Sequence, residues 1–562
     1  MKRYLSGRTL RVLIVGVTAS ALLSMGLTSG ISAASPAKHK APTTVVKKVV
    51  KKTTTAVANA TTPIVLTSPA IPNVAPLPGP IEPTPTLPAT PLSLSVTPAT
   101  GIIGTPITVT GANLPDNSTL QIYWSTWNAT WKVGADPSTV NYLGSQDTPI
   151  VVLIGSVTTN SSGAFTLNYA APQDFGGTHA LYVVANGVAL AEGSFTTLRT
   201  VTMTPTSGPI GTPITITYSG LGASQYTGGA SLLWDNHYVG EMMADWTRGV
   251  ATASIRATGP IGDHTIQIGN AISYLYLNVP QSPIPYTNGA TQTFDTTADN
   301  GPPLATIDAP DAVQPTLKQI TTLDEGGLGT AKSSVQTTSS LSSGTEGTNV
   351  TVAATDLASN APVSLQWATV VGNRVNCAST CWAFSTSNLT TSTPTSDAFS
   401  TGISIPSPTL GGWHAIQVVQ NNVVVGQIPF YVKESIVGYQ TGENTAPTTA
   451  LTVTEGQQFS IHIEGIGWTQ LDNTVAVDYD NSYVGYGCGF NSNGDVVLNL
   501  TATGAPGTHI IDLYPMLYSL SPSFANAPYG MVPLLTYAAD DPALALGYQL
   551  GAFRFAITVV AP

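Results

Sequence analysis

One short motif occurs four times in this chain, and the repetition constrains the fold more than any other feature. In each copy a glycine is followed two residues later by a histidine and then by an alternating apolar run typical of a β-strand. The histidines are His179, His264, His414 and His509, four of the seven in the chain. A catalytic histidine is needed only once. We therefore interpret these four as structural corner residues, each bonding a nearby backbone carbonyl in a repeated domain.

Two further landmarks precede each histidine. A turn glycine opens each unit, and an aromatic residue follows it at intervals of 20, 23, 20 and 23 residues. The intervals from the glycine to the histidine are 75, 53, 67 and 53 residues. The glycines and aromatic residues are Gly104, Gly211, Gly347 and Gly456, and Trp124, Trp234, Trp367 and Tyr479. The alternation predicts an all-β chain of four tandem immunoglobulin-like β-sandwiches, made by duplicating a two-domain module.

The first two units open on nearly the same sequence, at 97–110 and 204–217, with a Gly-Thr-Pro-Ile-Thr core. This opening resembles the immunoglobulin-like IPT/TIG repeats of bacterial surface proteins, over residues 93–115 and 200–221. The resemblance implies a seven-stranded sandwich that serves as a spacer or a ligand-binding module. It brings no catalytic residue to this chain.

Composition and spacing predict seven segments. The N-terminus has four basic residues, an apolar run to Leu27 and small residues up to Ala34, which indicates an export signal or an uncleaved anchor. The two linkers are rich in Lys, Thr and Pro, or in Thr, Ser, Gly and Asp, and are expected not to fold. The segments are a signal peptide or anchor 1–34, linker 35–92, domain 1 93–198, domain 2 199–280, linker 281–340, domain 3 341–434 and domain 4 435–562.

Charge is scarce and uneven. Charged residues make up only 9 % of the chain, against about 25 % in typical proteins. Residues 1–52 hold ten basic and no acidic residues, whereas 53–562 hold nine basic and 30 acidic residues, a net charge of −21. No clustered basic face of the nucleic-acid-binding kind is present in the sequence. We expect an extracellular protein whose Lys-rich arm contacts an anionic envelope polymer or lipid headgroups, with membrane contact only through the N-terminal segment.

The chain has three cysteines. Cys377 and Cys381 are close enough in sequence for a local disulfide, which an exported protein permits, but the pairing stays open at this stage. Cys488 is then left over, and we expect it to be a buried thiol. We predict no zinc site, because four ligands with suitable spacing are missing.

No sequence motif of catalysis, phosphate binding or cofactor binding is present, so we predict a non-enzymatic protein without cofactor. The pairs Asp235-Asn236 and Asp480-Asn481 suit turns, and they leave a calcium site as a weaker alternative. Because the repeats occupy the whole length, we predict no metal site and no catalytic residue.

Two interruptions of the repeat carry extra aromatic residues. The first is an insertion at about 125–149 in domain 1, and the second is the long stretch between His509 and Val560 in domain 4. Exposed rings at the end of a sandwich can stack on sugars or contact a protein. The alternative is that these loops fold back over their own domain. The candidate ligand-binding residues are Trp127, Trp131, Tyr142, Tyr518, Tyr529 and Tyr537.

These observations favour an exported cell-surface or secreted protein with a structural or adhesive role, whose partner is an envelope polymer, a surface protein or a glycan. A secreted carbohydrate-binding protein that uses the aromatic loops of domains 1 and 4 is the alternative hypothesis. A cell-wall hydrolase is the weakest of the three.

Overall fold

The computed structural model describes most of the chain beyond residue 90. The described residues are 81–82, 85, 88, 91–136, 139–223, 228–270, 277, 279–281, 289–308, 335–372, 382–442, 445–467, 472–517, 532–541 and 550–562. The chain divides into two units, Met1–Ala60 and Thr61–Pro562, and all the described residues belong to the second. The signal peptide and nearly all of the linker predicted at 35–92 lie outside these residues.

The fold is the predicted one, four β-sandwiches in tandem, which we call domains 1 to 4. In every domain a three-stranded sheet faces a larger sheet, and a short strand near the start pairs in parallel with the last strand. This is the two-layer arrangement of immunoglobulin-like domains, in which alternating side chains of both sheets fill the space between them. Each domain has its own buried apolar core.

Domains 1 and 2 hold the first eighteen strands. In domain 1 they are β1 Ile81–Glu82, β2 Leu92–Ser93, β3 Ser95–Thr97, β4 Thr100–Gly101, β5 Pro106–Gly111, β6 Thr119–Asp136, β7 Thr139–Thr158, β8 Phe165–Ala170, β9 Gly177–Ala185 and β10 Val188–Thr197. In domain 2 they are β11 Thr200–Thr204, β12 Ser207–Gly208, β13 Pro213–Ser219, β14 Gly229–Trp234, β15 His237–Met243, β16 Val250–Arg256, β17 Gly262–Asn270 and β18 Ala290–Thr296, with a 3₁₀ turn at Val279–Gln281. The sheet orders are β3-β5-β8 with β1-β7-β6-β9-β10-β2, and β11-β13-β16 with β12-β18-β17-β14-β15.

Domains 3 and 4 repeat this pattern. In domain 3 the strands are β20 Gln336–Ser339, β21 Ser343–Gly344, β22 Asn349–Thr355, β23 Val363–Gly372, β24 Trp382–Ser392, β25 Phe399–Ser404, β26 Gly412–Gln420 and β27 Val423–Val432. In domain 4 they are β19 Thr306–Asp308, β28 Ser435–Gln440, β29 Thr452–Thr454, β30 Gln458–Glu464, β31 Thr474–Tyr479, β32 Ser482–Cys488, β33 Val496–Thr501, β34 Gly507–Leu517, β35 Val532–Pro533 and β36 Ala552–Val560. The sheet orders are β20-β22-β25 with β21-β27-β26-β23-β24, and β28-β30-β33 with β19-β36-β34-β31-β32.

The repeated aromatic residue and histidine meet in the core of each domain. In domains 1 to 3 the tryptophan stacks on the histidine with ring centroids 4.6, 4.9 and 4.7 Å apart. In domain 4, Tyr479 and His509 are tilted and 5.6 Å apart. A phenylalanine of the last strand adds a third ring in domains 1 to 3, at 6.0, 6.1 and 6.2 Å from the tryptophan; these are Phe195, Phe294 and Phe430. The landmarks therefore mark equivalent positions of one scaffold.

The linker predicted at 281–340 is wrong where the structure describes strands within it, at 290–296, 306–308 and 336–339. Strand β18 completes the large sheet of domain 2, β19 pairs with β36 of domain 4, and β20 begins domain 3. The Thr-rich sequence of β18 looks unfolded because it carries only one large apolar residue, Phe294. That single ring fills the core position, and the strand alternates around it.

The insertion in domain 1 is not a loop. It continues β6 and β7 as one long antiparallel hairpin, in which Trp127 lies opposite Pro149 and Asp136 opposite Thr139. Thr, Trp and Val are frequent in this stretch, and they favour the extended pleated conformation. Among the described residues, no helix has the length and apolar character needed to span a bilayer.

The contact between domains 1 and 2 and the contact between domains 3 and 4 share one backbone geometry. We call them the first junction and the second junction. The N–H of Gly176 donates to the carbonyl of Leu221 at 2.7 Å, and that of Gly411 donates to Ile466 at 3.1 Å. A Cβ atom on Gly176 would lie 1.8 Å from the Gly220 carbonyl oxygen, and one on Gly411 would lie 1.7 Å from that of Gly465. Glycine is therefore required at both junctions, because any side chain would separate the domains.

Candidate functional site

The four histidines have one hydrogen bond in common. Nε2 lies 2.7 to 2.8 Å from the carbonyl oxygen of the residue four positions earlier in every domain. Because a carbonyl oxygen only accepts, Nε2 carries the proton. The partner of Nδ1 differs between the two kinds of domain. It is the carboxylate of Asp235 or Asp480 in domains 2 and 4, and a backbone carbonyl in domains 1 and 3.

Two of these histidines have pKa values shifted in opposite directions. Full burial lowers the pKa of His414 to about 4, against the opposing effect of its backbone acceptors. Burial also lowers the pKa of His509, but the hydrogen bond and charge of Asp480 outweigh it and leave the pKa raised. The geometry of all four rings serves the fold of their own domain.

Asp235 and Asp480 also shape the hairpins that they open. Each stands with the following asparagine at positive φ, the conformation of a tight two-residue β-turn. One carboxylate oxygen accepts from the backbone N–H of the residue after the histidine, Thr265 or Ile510. Turn chemistry and the histidine bond account for Asp235, whereas Asp480 also accepts from the hydroxyl of Thr258 in domain 2 at 2.5 Å.

The first junction holds a buried ion pair. Asp174 accepts hydrogen bonds from the indole of Trp124 at 2.8 Å and from the hydroxyl of Thr126 at 2.7 Å. The guanidinium of Arg248, from domain 2, donates to the same carboxylate at 3.1 Å and lies over the ring of Phe175. Asp174 is fully buried, so the arginine compensates a charge that has no access to water.

The second junction replaces this ion pair with neutral partners. Trp367 donates to the hydroxyl of Thr409 at 3.2 Å, and Asn493 donates to the carbonyl of Pro408 at 2.6 Å. Close to Asn493 in the sequence, Asp495 belongs to a group of side chains of the types that can bind a metal ion. Within the described part of the chain, His462, Glu464 and Asp495 bring one ligand atom each within 4.8 Å of one another.

Domain 4 contacts domain 2 through residues 532–541, the described part of the stretch after β34, which we call the late extension. Leu534 forms a parallel bridge with Glu241 of β15, and the N–H of Leu535 donates to the Glu241 carbonyl at 2.9 Å. The N–H of Met243 donates to the hydroxyl of Thr536 at 3.0 Å. Leu534, Leu535 and Tyr537 join the apolar core of domain 2. The extension thus covers the edge of the neighbouring domain, while its strand β35 pairs with β34 of its own domain.

Buried charges lie at the interface between domains 2 and 4. Arg256 of domain 2 donates to the Asp512 carboxylate of domain 4 at 2.5 Å. Arg554 lies 3.0 Å from Asp512 and 3.3 Å from Asp308, and its guanidinium stands over Tyr514. Burial and the negative charge of Asp512 raise the pKa of Asp478 well above its usual value, against the opposing charge of Arg554. The two arginines are therefore balanced by two carboxylates, Asp308 and Asp512, while burial favours the uncharged form of Asp478.

A second carboxyl near this interface is also shifted. Burial, and then the negative charges of Asp540 and Asp147, raise the pKa of Asp245 to about 8. Asp540 belongs to the extension of domain 4 and accepts from Thr247 of domain 2 at 3.1 Å. The contact therefore brings acidic groups of both domains together in a buried place.

The corresponding edge of domain 4 is open. In β15 the residues from Val239 to Met242 are buried, whereas in β32 exposed residues alternate with half-buried ones. Together β32 and β33, the edge strands of the two sheets, line a groove of about 740 Å³. Three apolar side chains project at its rim: Val484 is 55 % exposed, Tyr486 52 % and Val497 49 %. We call this the domain 4 groove.

The predicted ligand-binding residues are not gathered in one place. Trp127 is half-buried and packs edge-on against Phe175 and His179 at the first junction. Tyr537 is buried and donates to Asp308 at 2.7 Å, so the prediction of an exposed ring is wrong for this residue. Trp131 and Tyr142 lie on the long hairpin, but their side chains are outside the described residues, as are Tyr518 and Tyr529.

Of the three cysteines, the structure describes Cys488. Cys377 and Cys381 lie outside the described residues, so their disulfide stays a prediction. Cys488 is exposed, and the prediction of a buried thiol is wrong. It ends β32 at the domain 4 groove, where no strand of the described chain covers it.

Sequence reasoning missed the junction glycines and the groove, although both leave a signal. Domains 1 and 3 carry two adjacent glycines before the histidine, and domains 2 and 4 carry Gly-Leu-Gly or Gly-Ile-Gly after the second long strand. The groove residues follow Tyr479 in a run where both alternating faces are apolar, 482–488. Such a run suits a strand that is covered on both sides.

No family model matches this chain, and no curated protein matches it. Among solved structures, it is similar to a tetra-tandem repeat from the extending region of a large adhesion protein, with 12 % identity, coverage of 76 % of this chain and 95 % of that chain, and a TM-score of 0.17. It is also similar to the ICAM-5 D1–D4 ectodomain fragment, with 11 % identity, coverage of 84 % and 100 %, and a TM-score of 0.16. A putative membrane anchored protein from Corynebacterium diphtheriae gives 12 % identity, coverage of 60 % and 90 %, and a TM-score of 0.15. Similarities of this size carry no argument about function.

Proposed function

We propose that this chain is an exported, non-enzymatic structural protein of the cell surface, built from immunoglobulin-like modules of the IPT/TIG kind, with an adhesive contact at the domain 4 groove. The structural role is supported by one observation, the contact of the late extension of domain 4 with domain 2. Its described residues contact both domains, with Leu534 and Tyr537 in the core of domain 2 and β35 paired with β34 of domain 4. Nearby, Arg256 of β16 pairs with Asp512 of β34 across the same interface. A segment that is buried between two domains is typical of a structural protein and is not available to bind a ligand.

The adhesive part rests on the contrast between two equivalent edges. The β15 edge of domain 2 is covered by Val532 to Thr536, an apolar segment in which β35 is followed by the Leu534 bridge and a turn. Among the described residues, the β32 edge of domain 4 contacts domain 2 at its start, where Tyr483 packs edge-on against Tyr238 of β15, and it presents Val484 and Tyr486 to solvent. An open edge strand pairs readily with another extended chain. The fitting occupant is therefore an extended, uncharged apolar peptide segment of a partner surface protein.

Export is tested by fractionation with N-terminal sequencing of the mature protein. We expect the protein in the envelope or the medium, and a mature N-terminus near Ser35 if the leader is cleaved. Recovery only in the cytoplasm would reject export. If the Lys-rich arm is an electrostatic tether, changing its six lysines at 38–52 to glutamine should increase release by a salt wash.

Adhesion is tested by the retention of producing cells on a surface coated with the purified full-length protein. Val484→Lys places a charge in the domain 4 groove and should reduce retention severalfold. Val423→Lys is the matched control, because Val423 is also 55 % exposed but lies in domain 3. Equal retention by the two variants would reject the groove as the adhesive contact.

Two further assays test the other candidate functions. Clearing of wall polymer in a zymogram would overturn the non-enzymatic assignment. Glycan-array binding that is lost in Trp127→Ala would favour the carbohydrate-binding alternative.

A further inference from the structure

The outer face of the small sheet of domain 4 carries an unusual group of side chains. His462 and Glu464 stand two residues apart on β30, and they alternate with Ile461 and Ile463, which are buried in the core. Both therefore point away from the core. Asp495 stands just before β33, the neighbouring strand. Adjacent strands of one sheet face thus place an imidazole and two carboxylates together.

The spacing of these groups is that of ligands rather than of a hydrogen-bonded pair. His462 Nε2 lies 3.8 Å from Asp495 Oδ1, which is too long for a hydrogen bond. Both atoms are shielded from solvent, and neither has a hydrogen-bond partner within the described part of the chain. Two ligand atoms that each lie about 2.0–2.2 Å from a common zinc ion are separated by about 3–4 Å. The geometry therefore leaves room for an ion between them.

A further carboxylate, that of Glu346, belongs to domain 3 across the second junction. One oxygen of Glu346 accepts from the backbone N–H of Thr409 at 3.1 Å, and the other is buried without a hydrogen-bond partner among the described residues. Burial raises the pKa of Glu346 to about 7, and the negative charges of Glu464 and Asp495 contribute to the increase. This group is thus a neighbour of the other three, from across the second junction.

We propose that His462, Glu464 and Asp495 bind one divalent first-row transition-metal ion of the zinc class. Imidazole nitrogen with carboxylate oxygens suits zinc, manganese or cobalt, whereas calcium and magnesium prefer oxygen ligands alone. The ion would neutralise the repulsion among the three carboxylates. It would also connect β30 to the start of β33, so it would stabilise the small sheet of domain 4.

The first junction supplies an internal comparison. Counted from the matched glycines, the positions of His462, Glu464 and Asp495 are occupied in domain 2 by Thr217, Ser219 and Val250, and the position of Glu346 is Ile103 in domain 1. None of these four side chains is a usual metal ligand. The site therefore belongs to the second copy of the module and is not a property of the shared scaffold.

Thermal melting of the full-length, untagged protein after dialysis against a chelator tests the proposal. Zinc at about a hundred times its Kd should raise the melting temperature by several degrees, because it binds the folded state. One equivalent of Co²⁺ should give a visible absorption band. Both effects should disappear in His462→Ala and in Asp495→Asn, and both should persist in His237→Ala, which removes an exposed histidine elsewhere.

The outcomes separate binding from folding. The altered side chains point away from the core, so the variants should melt like the unaltered protein when chelator is present. The absence of any zinc-dependent shift in the unaltered protein would overturn the proposal, as would an equal shift in His462→Ala. Glu464→Gln should weaken zinc binding at least tenfold, and an unchanged affinity would overturn the assignment of Glu464 as a ligand.

Discussion

The two junctions share a backbone contact and differ in nearly every side chain around it. In the first, Gly176 meets Gly220, and Asp174 is neutralised by Arg248. In the second, the same glycine contact stands beside Thr409 and Asn493, which are uncharged. Duplication thus preserved what backbone sterics require, because a Cβ atom would open the contact. The polar groups diverged, since several combinations can satisfy the same buried positions.

The largest effect is expected at the shared glycines. Gly176→Ala and Gly411→Ala would each place a methyl group within 2 Å of a backbone oxygen. We expect a loss of about 3 kcal/mol at either junction, through overpacking. Calorimetry and limited proteolysis would measure it. Gly402→Ala is the control, because a methyl group added there would have no atom within 4 Å among the described residues. A large effect at only one glycine would show that the junctions are not equivalent.

A smaller effect is expected from exchanging the side chains that differ. Arg248→Asn introduces the residue found in the second junction, and asparagine tolerates the positive φ of that position. It leaves the Asp174 carboxylate buried without a cation, so we expect a loss of about 2 kcal/mol. Adding Asp174→Thr should recover most of this loss, which a double-mutant cycle in denaturant would measure. The reverse change, Asn493→Arg, should stabilise nothing because Thr409 offers no charge.

The smallest effect concerns the histidines and depends on pH. His414 has a folded pKa of about 4, below the unfolded value of 6.5, so its contribution to stability is lost as the pH falls from about 6.5 to 4. His509 has a raised pKa, so its contribution is present below pH 6.5 and is lost as the pH rises through the folded value. NMR of ¹³C-labelled imidazoles would follow both rings, with His414→Gln and His509→Gln for assignment. Titration of His414 above His509 would contradict this difference.

Much of the fold could be predicted because its landmarks are local. The Asn186-Gly187 and Asn421-Asn422 turns consist of residue types that favour positive φ, and all four residues have positive φ in hairpins. The aromatic and histidine positions were expected from their intervals. Strand β18 was missed because Phe294 follows His264 by 30 residues, whereas Phe195 and Phe430 follow their histidines by 16. Because the interval between histidine and phenylalanine varies between domains, the sequence pattern does not reveal β18, in which Phe294 is the only large apolar residue.

The sites were less predictable because they depend on which domains meet. Tyr537 and Tyr486 are both tyrosines in domain 4, yet the first is buried and the second exposed. Tyr537 belongs to the extension that packs on domain 2, whereas Tyr486 lies on an edge that remains open. Residue type and spacing within one domain cannot distinguish them.

By itself the amino-acid sequence determined the repeated two-layer scaffold, because alternation, turn residues and core rings act over short stretches of chain. Tertiary structure alone decided that the late extension of domain 4 covers domain 2, and that His462 and Asp495 stand 3.8 Å apart although 33 residues separate them. Such contacts depend on the docking of whole sheets and domains, where buried charges and backbone sterics act between residues distant in the chain.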